Sequence, residues 1–146
     1  MPKPYYQTAS ELRFECTRCG NCCTRPGLVY FPPEDLRRAA GHLGLSHTVF
    51  RRRYRLRIEN GVYALDPGDA PCPFYTEEPG CGIYEGRPTQ CRTWPFWPEV
   101  VTRKGSWDAA AKDCEGMNRG TNVTVREIEK SVELCAQAGL PEADPW

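Results

Sequence analysis

The sequence predicts a small, loop-rich α+β domain stabilised by cysteine-bound metal. Three observations point there. Apolar residues make up 40% of the 146, enough for a core, yet 14 prolines and 13 glycines break the chain into short segments. Helical periodicity recurs in about four places and short β-branched or aromatic runs in a few others. Four of the nine cysteines fall within Cys16-Thr17-Arg18-Cys19-Gly20-Asn21-Cys22-Cys23, a density that calls for a metal to complete the packing. No linker is long enough to divide the chain, so one domain over residues 1–146 is expected.

Taken in order, residues 1–15 form a polar lead-in with a short apolar patch at Leu12 and Phe14. Beyond the cysteine run, Leu28-Val29-Tyr30-Phe31 has strand composition, and Pro32-Pro33 ends it. Pro33 suits the first turn of a helix, with Glu34 and Asp35 facing its positive end. Leu36, Ala39, Ala40 and Leu43 follow at helical spacing, and Gly44 suits the exit. Ser46 is placed to cap a second helix through about Leu56, with Val49, Phe50 and Tyr54 inward. Asn60-Gly61 signals a tight turn, making residues 58–65 a small hairpin that ends in Val62-Tyr63-Ala64-Leu65.

From Asp66 to Pro98, proline, glycine, cysteine and aromatic residues predominate. Loops and one short helix near Pro88–Trp94 are expected. A weaker helix is predicted from Trp107 to Cys114. The clearest helix is the last, about 124–138: Thr124 and Glu127 form a capping box, and Gly139-Leu140-Pro141 stops it. Val125, Ile128, Val132 and Cys135 share one face of that helix.

Charge and hydropathy narrow the function. Nineteen basic residues balance nineteen acidic ones, so net charge gives no reason to expect a nucleic-acid or membrane partner. The run Arg51, Arg52, Arg53, Arg55 and Arg57 reads as a solvated helix face. No window approaches the roughly 18 continuous apolar residues of a membrane span. Met1-Pro2-Lys3-Pro4-Tyr5-Tyr6-Gln7 also lacks the apolar stretch of a signal peptide, so a cytoplasmic protein is expected. Thiols stay reduced there, and nine cysteines cannot all pair, which argues against a disulfide framework.

The cysteines are instead candidate ligands. Two-residue gaps between Cys16, Cys19 and Cys22 let a tight loop aim several thiolates at one point, in zinc knuckles and iron–sulfur loops alike. Cys23 is different, because adjacent side chains in extended backbone point opposite ways. It reaches a second metal, is buried as a small apolar residue, or forms a vicinal disulfide with Cys22. Cys72, Cys81, Cys91 and Cys114 are too widely spaced for a local knuckle and converge only through the fold. Together these eight fill two four-ligand sites, or one site with spare thiols. Cys135, on an apolar helix face, reads as a buried, unreactive thiol. His42 and His47 read as ordinary surface or core residues.

These motifs resemble the YkgJ-type CxxCxxCC cysteine-cluster family. The likeness runs from Cys16-x-x-Cys19-x-x-Cys22-Cys23 through Cys72-Pro73-Phe74-Tyr75. It continues in Gly80-Cys81-Gly82-Ile83-Tyr84-Glu85-Gly86-Arg87-Pro88-Thr89-Gln90-Cys91-Arg92-Thr93-Trp94-Pro95-Phe96, then reaches Cys114, covering roughly residues 12–116. The chain departs in having Trp94 where phenylalanine is expected and in adding Cys135. The resemblance implies cysteine ligation of zinc or iron, the iron as an ion or as an iron–sulfur cluster. A related module occurs in a flagellin lysine methylating enzyme, so the resemblance leaves catalysis open.

Arg87, Arg92 and Glu85 flank Cys91, and the arginines are placed to offset the negative charge of a thiolate site. Phe74, Tyr75, Trp94, Phe96 and Trp97 bracket the middle cysteines and read as core packing around the metal. No catalytic triad, phosphate loop or paired-carboxylate site can be traced. The expected function is chelation of iron, including as an iron–sulfur cluster, or of zinc, serving redox or protein-modification chemistry. The alternative is a structural zinc module that mediates protein or nucleic-acid interaction.

Overall fold

The computed structural model of the protein describes residues 3–9, 11–17, 28–68, 70–76 and 81–140. Two apolar clusters organise them. The first gathers residues from both ends of the chain, with Leu12, Trp94, Phe96, Trp107, Met117 and Ile128 among its buried members. The second is built between residues 31 and 83, around Phe31, Leu36, Phe50, Leu65, Phe74 and Ile83.

The second cluster lies under a three-stranded antiparallel sheet and two helices. Strand β2 (Val29–Tyr30) pairs with β4 (Val62–Leu65), which pairs with β3 (Arg57–Glu59). Asn60 and Gly61 join β3 to β4 with φ of 53° and 80°. That left-handed pair is what a two-residue hairpin requires, as the Asn-Gly signal predicts. Helix α2 (Pro33–His42) starts with proline in its first turn and buries Leu36, Ala39 and Ala40.

Ser46 caps α3 (His47–Arg53), its hydroxyl accepting from Val49 N at 3.2 Å. The helix ends before the expected Leu56. Arg55 turns left-handed at φ 53° and Leu56 N returns to Arg51 O at 2.9 Å, which closes the helix early. Phe50 is fully buried against Phe31, Phe74 and Tyr54. Val49, expected inward, is exposed.

The first cluster is closed by the meeting of the two ends. Strand β1 (Leu12–Phe14) pairs antiparallel with β5 (Met117–Val123), Leu12 facing Val123 and Phe14 facing Met117. Around them lie α1 (Tyr5–Thr8), α4 (Thr89–Thr93), α5 (Pro98–Val101), α6 (Lys104–Ala111) and α7 (Val125–Gln137). The capping box of α7 is formed: Thr124 Oγ1 accepts from Glu127 N at 3.2 Å, and the Glu127 carboxylate accepts from Thr124 N at 3.0 Å. On its apolar face Ile128 and Cys135 are buried, while Val125 is exposed.

The α+β class is borne out. Four of the described helices reach seven residues or more: α2, α3, α6 and α7. The helix expected from Trp107 to Cys114 is α6, which begins three residues earlier, at Lys104, and ends at Ala111, so Cys114 lies beyond it. Strands β1 and β5 and the one-turn helices α1 and α5 are additions to the predicted elements. None of the described helices is long and apolar enough to cross a membrane.

The depth of Phe50 and the exposure of Ile58, at 64%, set up a contrast. Phe50→Ala is expected to lower unfolding free energy by about 3–5 kcal/mol. Ile58→Ala is expected to change it by less than about 0.5 kcal/mol. Urea denaturation of the two variants beside the parent protein measures both.

Candidate metal centre

Among the eight candidate ligands, Cys16, Cys72, Cys81, Cys91 and Cys114 fall within the described residues, whereas Cys19, Cys22 and Cys23 lie outside them. Cys16 is exposed, Cys72, Cys81 and Cys91 are half-buried, and Cys114 is buried. Among the described residues, no three or more cysteine, histidine or acidic side chains gather closely enough to hold a metal ion. The geometry nevertheless shows where both flanks of the opening cysteine run are attached.

The leading flank leaves β1 and meets the segment that carries Cys114. Glu15 N donates to Gly116 O at 3.0 Å, and the Thr17 hydroxyl donates to the Glu115 carboxylate. The backbones meet so closely that a Cβ on Gly116 would stand 2.2 Å from Glu15 O, a distance no side chain tolerates. Glycine at 116 is therefore required for the approach. Arg13 Nε donates to Gly120 O at 2.8 Å and adds a further tie between the two strands.

The far flank enters β2 and is tied to α4, the helix that carries Cys91. The Gln90 side chain makes both bonds: its Oε1 accepts from Tyr30 N at 2.8 Å, and its Nε2 donates to Leu28 O at 3.1 Å. A primary amide is suited to this, having one acceptor and two donors on a single planar group. Its own backbone carbonyl accepts the Trp97 indole N–H at 2.8 Å.

Helix α4 is itself held from outside. It has only five residues, and no side chain at its own N-cap, Pro88, satisfies its first donors. Asp35 of α2 does so instead. Its buried carboxylate accepts from Thr89 N at 2.9 Å and from Thr89 Oγ1 at 2.8 Å, and Arg38 Nη1 donates to it at 2.9 Å. The same Arg38 nitrogen donates to Arg87 O at 3.1 Å. Gly86 packs so tightly on α2 that an added Cβ would lie 2.8 Å from His42 Cβ.

Cys72 and Cys81 sit on the two arms of one loop and both pack against the second cluster. Tyr75 forms an antiparallel bridge with Cys81, and Gly82 N donates to Phe74 O at 2.6 Å. Tyr75 N donates to Cys72 O at 2.9 Å, turning the first arm. Phe74 between them stacks on Phe50 with ring centroids 6.0 Å apart, anchoring the loop in the core.

Two buried sulfurs have different surroundings. Cys114 Sγ receives the indole N–H of Trp94, with Nε1 at 3.5 Å. Cys135 Sγ, on α7, lies 3.3 Å from Oγ1 of Thr93, the last residue of α4. Burial pushes the Cys135 thiol above its ordinary range, offset only in part by the threonine contact. A thiol kept protonated is a poor ligand and a poor nucleophile, in line with the sequence reading of Cys135.

Arg87 lies over the Tyr84 ring at 3.6 Å and donates from Nε to Tyr84 O at 2.8 Å, while Arg92 and Glu85 are exposed. Phe74, Trp94 and Phe96 are buried in the two clusters as expected, and Tyr75 and Trp97 are half-buried. His42 and His47 are exposed at facing ends of α2 and α3. In the arginine run, Arg51 bonds the Tyr63 hydroxyl at 2.7 Å, and Arg57 pairs with Glu59 and Asp66 at 2.8 Å each. Arg52, Arg53 and Arg55 are exposed. Gln90 and Glu115 escape sequence reasoning because their partners are distant in the chain and no local pattern marks them; Asp35, placed by sequence at the start of α2, also serves Thr89, 54 residues away.

A donor set of thiols suits zinc, ferrous iron and iron–sulfur clusters, all of which favour soft ligands. The family model for CxxCxxCC, described as a "putative zinc- or iron-chelating domain", matches residues 15–135. The chain belongs to the CxxCxxCC family. The stretch that matches takes in α7 to Cys135, beyond the motifs quoted from the sequence. Membership supports metal binding in general, with zinc and iron both within the family description. A curated relative, the "Uncharacterized protein MJ0661" of Methanocaldococcus jannaschii, is 28% identical over 130 residues, spanning 84% of this chain and 68% of the relative. No solved structure matches.

Asp35→Ala removes the acceptor for Thr89 and Arg38 together. Loss of about 3 kcal/mol of unfolding free energy is expected, because buried donors are left unpaired. Hydrogen exchange should rise first at the amides of Thr89–Thr93, before the second cluster opens. Uniform protection across α4 in the variant would contradict this assignment.

Proposed function

We propose that this protein chelates iron, as an iron–sulfur cluster or as an ion, through Cys16, Cys19, Cys22, Cys23, Cys72, Cys81, Cys91 and Cys114. One observation carries the reading. Glu15 and Thr17 are hydrogen-bonded to the segment bearing Cys114, and Leu28 and Tyr30 to the helix bearing Cys91, which supports convergence of downstream cysteines on the run. Family membership supports the metal, and the buried aromatic residues clustered with Cys114 support a site shielded from water.

The role fitting such a site is redox or protein-modification chemistry in the cytoplasm. When bound, iron would supply one-electron chemistry. The chain's own residues fix the sulfurs and exclude solvent. A second reading, a structural zinc module presenting a surface to a protein partner, is favoured by a separate feature. The candidate ligands are divided between the clusters, Cys114 lying in the first and Cys72 and Cys81 packing against the second. Zinc between them would act as a staple, its binding free energy serving as folding free energy.

Anaerobic purification with metal and sulfide analysis separates the two. Brown protein containing iron and acid-labile sulfide is expected, whereas colourless protein with tightly held zinc would transfer the assignment to the second reading. Cys19→Ser, Cys91→Ser and Cys114→Ser should each lower metal per chain, and Cys135→Ser should not. Parent-level metal in all three of the first variants would end the proposal. Chelation should expose the amides of residues 16–17, 72–76 and 81–96 to exchange.

A further inference from the structure

We infer that the indole N–H of Trp94 is a tuning donor to the sulfur of Cys114, setting how strongly that sulfur gives electron density to a bound metal; this rests on the proposed ligand role of Cys114. The two side chains meet at 3.5 Å, and both are buried. A buried indole N–H requires an acceptor. A neutral thiol is a weak one, whereas a thiolate carrying negative charge is strong, so the contact gains strength when Cys114 binds metal.

The placement of the donor is fixed on both sides. Trp94 follows the last residue of α4, three positions after Cys91, and its ring meets the Trp97 ring edge-on with centroids 4.7 Å apart. Trp97 is held in turn by its own N–H on Gln90 O. The two indoles therefore divide their work, one donating to backbone and one to sulfur. Hydrogen bonds to ligating sulfurs withdraw electron density, stabilise the electron-rich form and raise the potential of an iron site. Trp94 is a positioning and tuning residue in this sense; it takes no part in bond making.

Cobalt(II) loading of the full chain tests this, because the sulfur-to-cobalt charge-transfer band reports sulfur donor strength. Trp94→Phe should bind cobalt at parental stoichiometry and move the band to lower energy, while Trp97→Phe, the same ring exchange without an N–H to sulfur, should leave it in place. An unmoved band in Trp94→Phe at full loading would overturn the tuning role. Cys114→Ser tests the ligand reading separately. Unchanged stoichiometry and band intensity in that variant would remove Cys114 from the ligand set, whatever Trp94→Phe does. Should Trp94→Phe fail to fold, the parent chain labelled with nitrogen-15 serves. Its Trp94 indole proton should shift downfield on zinc loading, and a fixed resonance would count against the proposal.

Discussion

Much of this structure depends on one buried carboxylate. Asp35 holds the N-terminus of a helix too short to hold itself, and that helix carries Cys91, Gln90, Thr93 and, just past its end, Trp94. A five-residue helix has almost no independent stability, since nucleation costs more than a single turn returns. Its place is therefore set by what it touches: Asp35 at its start, β2 through Gln90, and α7 through Thr93 and Cys135. Remote capping turns a weak local propensity into a fixed platform for several side chains.

What the sequence discloses and what it conceals divide along one physical line. Elements specified by local chemistry are legible: the Asn60-Gly61 hairpin, the Ser46 cap, proline at the start of α2 and the capping box at Thr124 all form as expected. Strand β5 is not, because Met117–Val123 has no apolar alternation, and its existence depends on β1, more than a hundred residues earlier. Val49 fits a helical apolar stripe by spacing and still faces outward, because its neighbour Phe50 takes the buried side, against Tyr54. The candidate ligands are visible as residue types at suggestive gaps. Their supports, Gln90, Glu115, Gly116 and Asp35, are ordinary residues whose importance arises only when the chain folds back.

Cys114 and Cys135 show why burial alone does not define a cysteine's chemistry. Both are almost wholly buried. One meets an indole N–H, which stabilises negative charge on sulfur; the other sits beside a threonine hydroxyl in surroundings that favour the neutral thiol. Sequence reading sets Cys135 apart by its place on an apolar helix face, and the structure adds the different neighbours of the two sulfurs.

The pairing of β1 with β5 has a consequence for the boundaries of the folding unit. Strand β1 runs directly into the cysteine run, and its partner strand lies after the last candidate ligand. A chain truncated behind Cys114 would retain all eight thiols while losing the strand that aligns the approach to half of them. The segment after Cys114 is thus a splint for the strand that leads into the N-terminal cysteines, and shortening it would leave that strand without its partner.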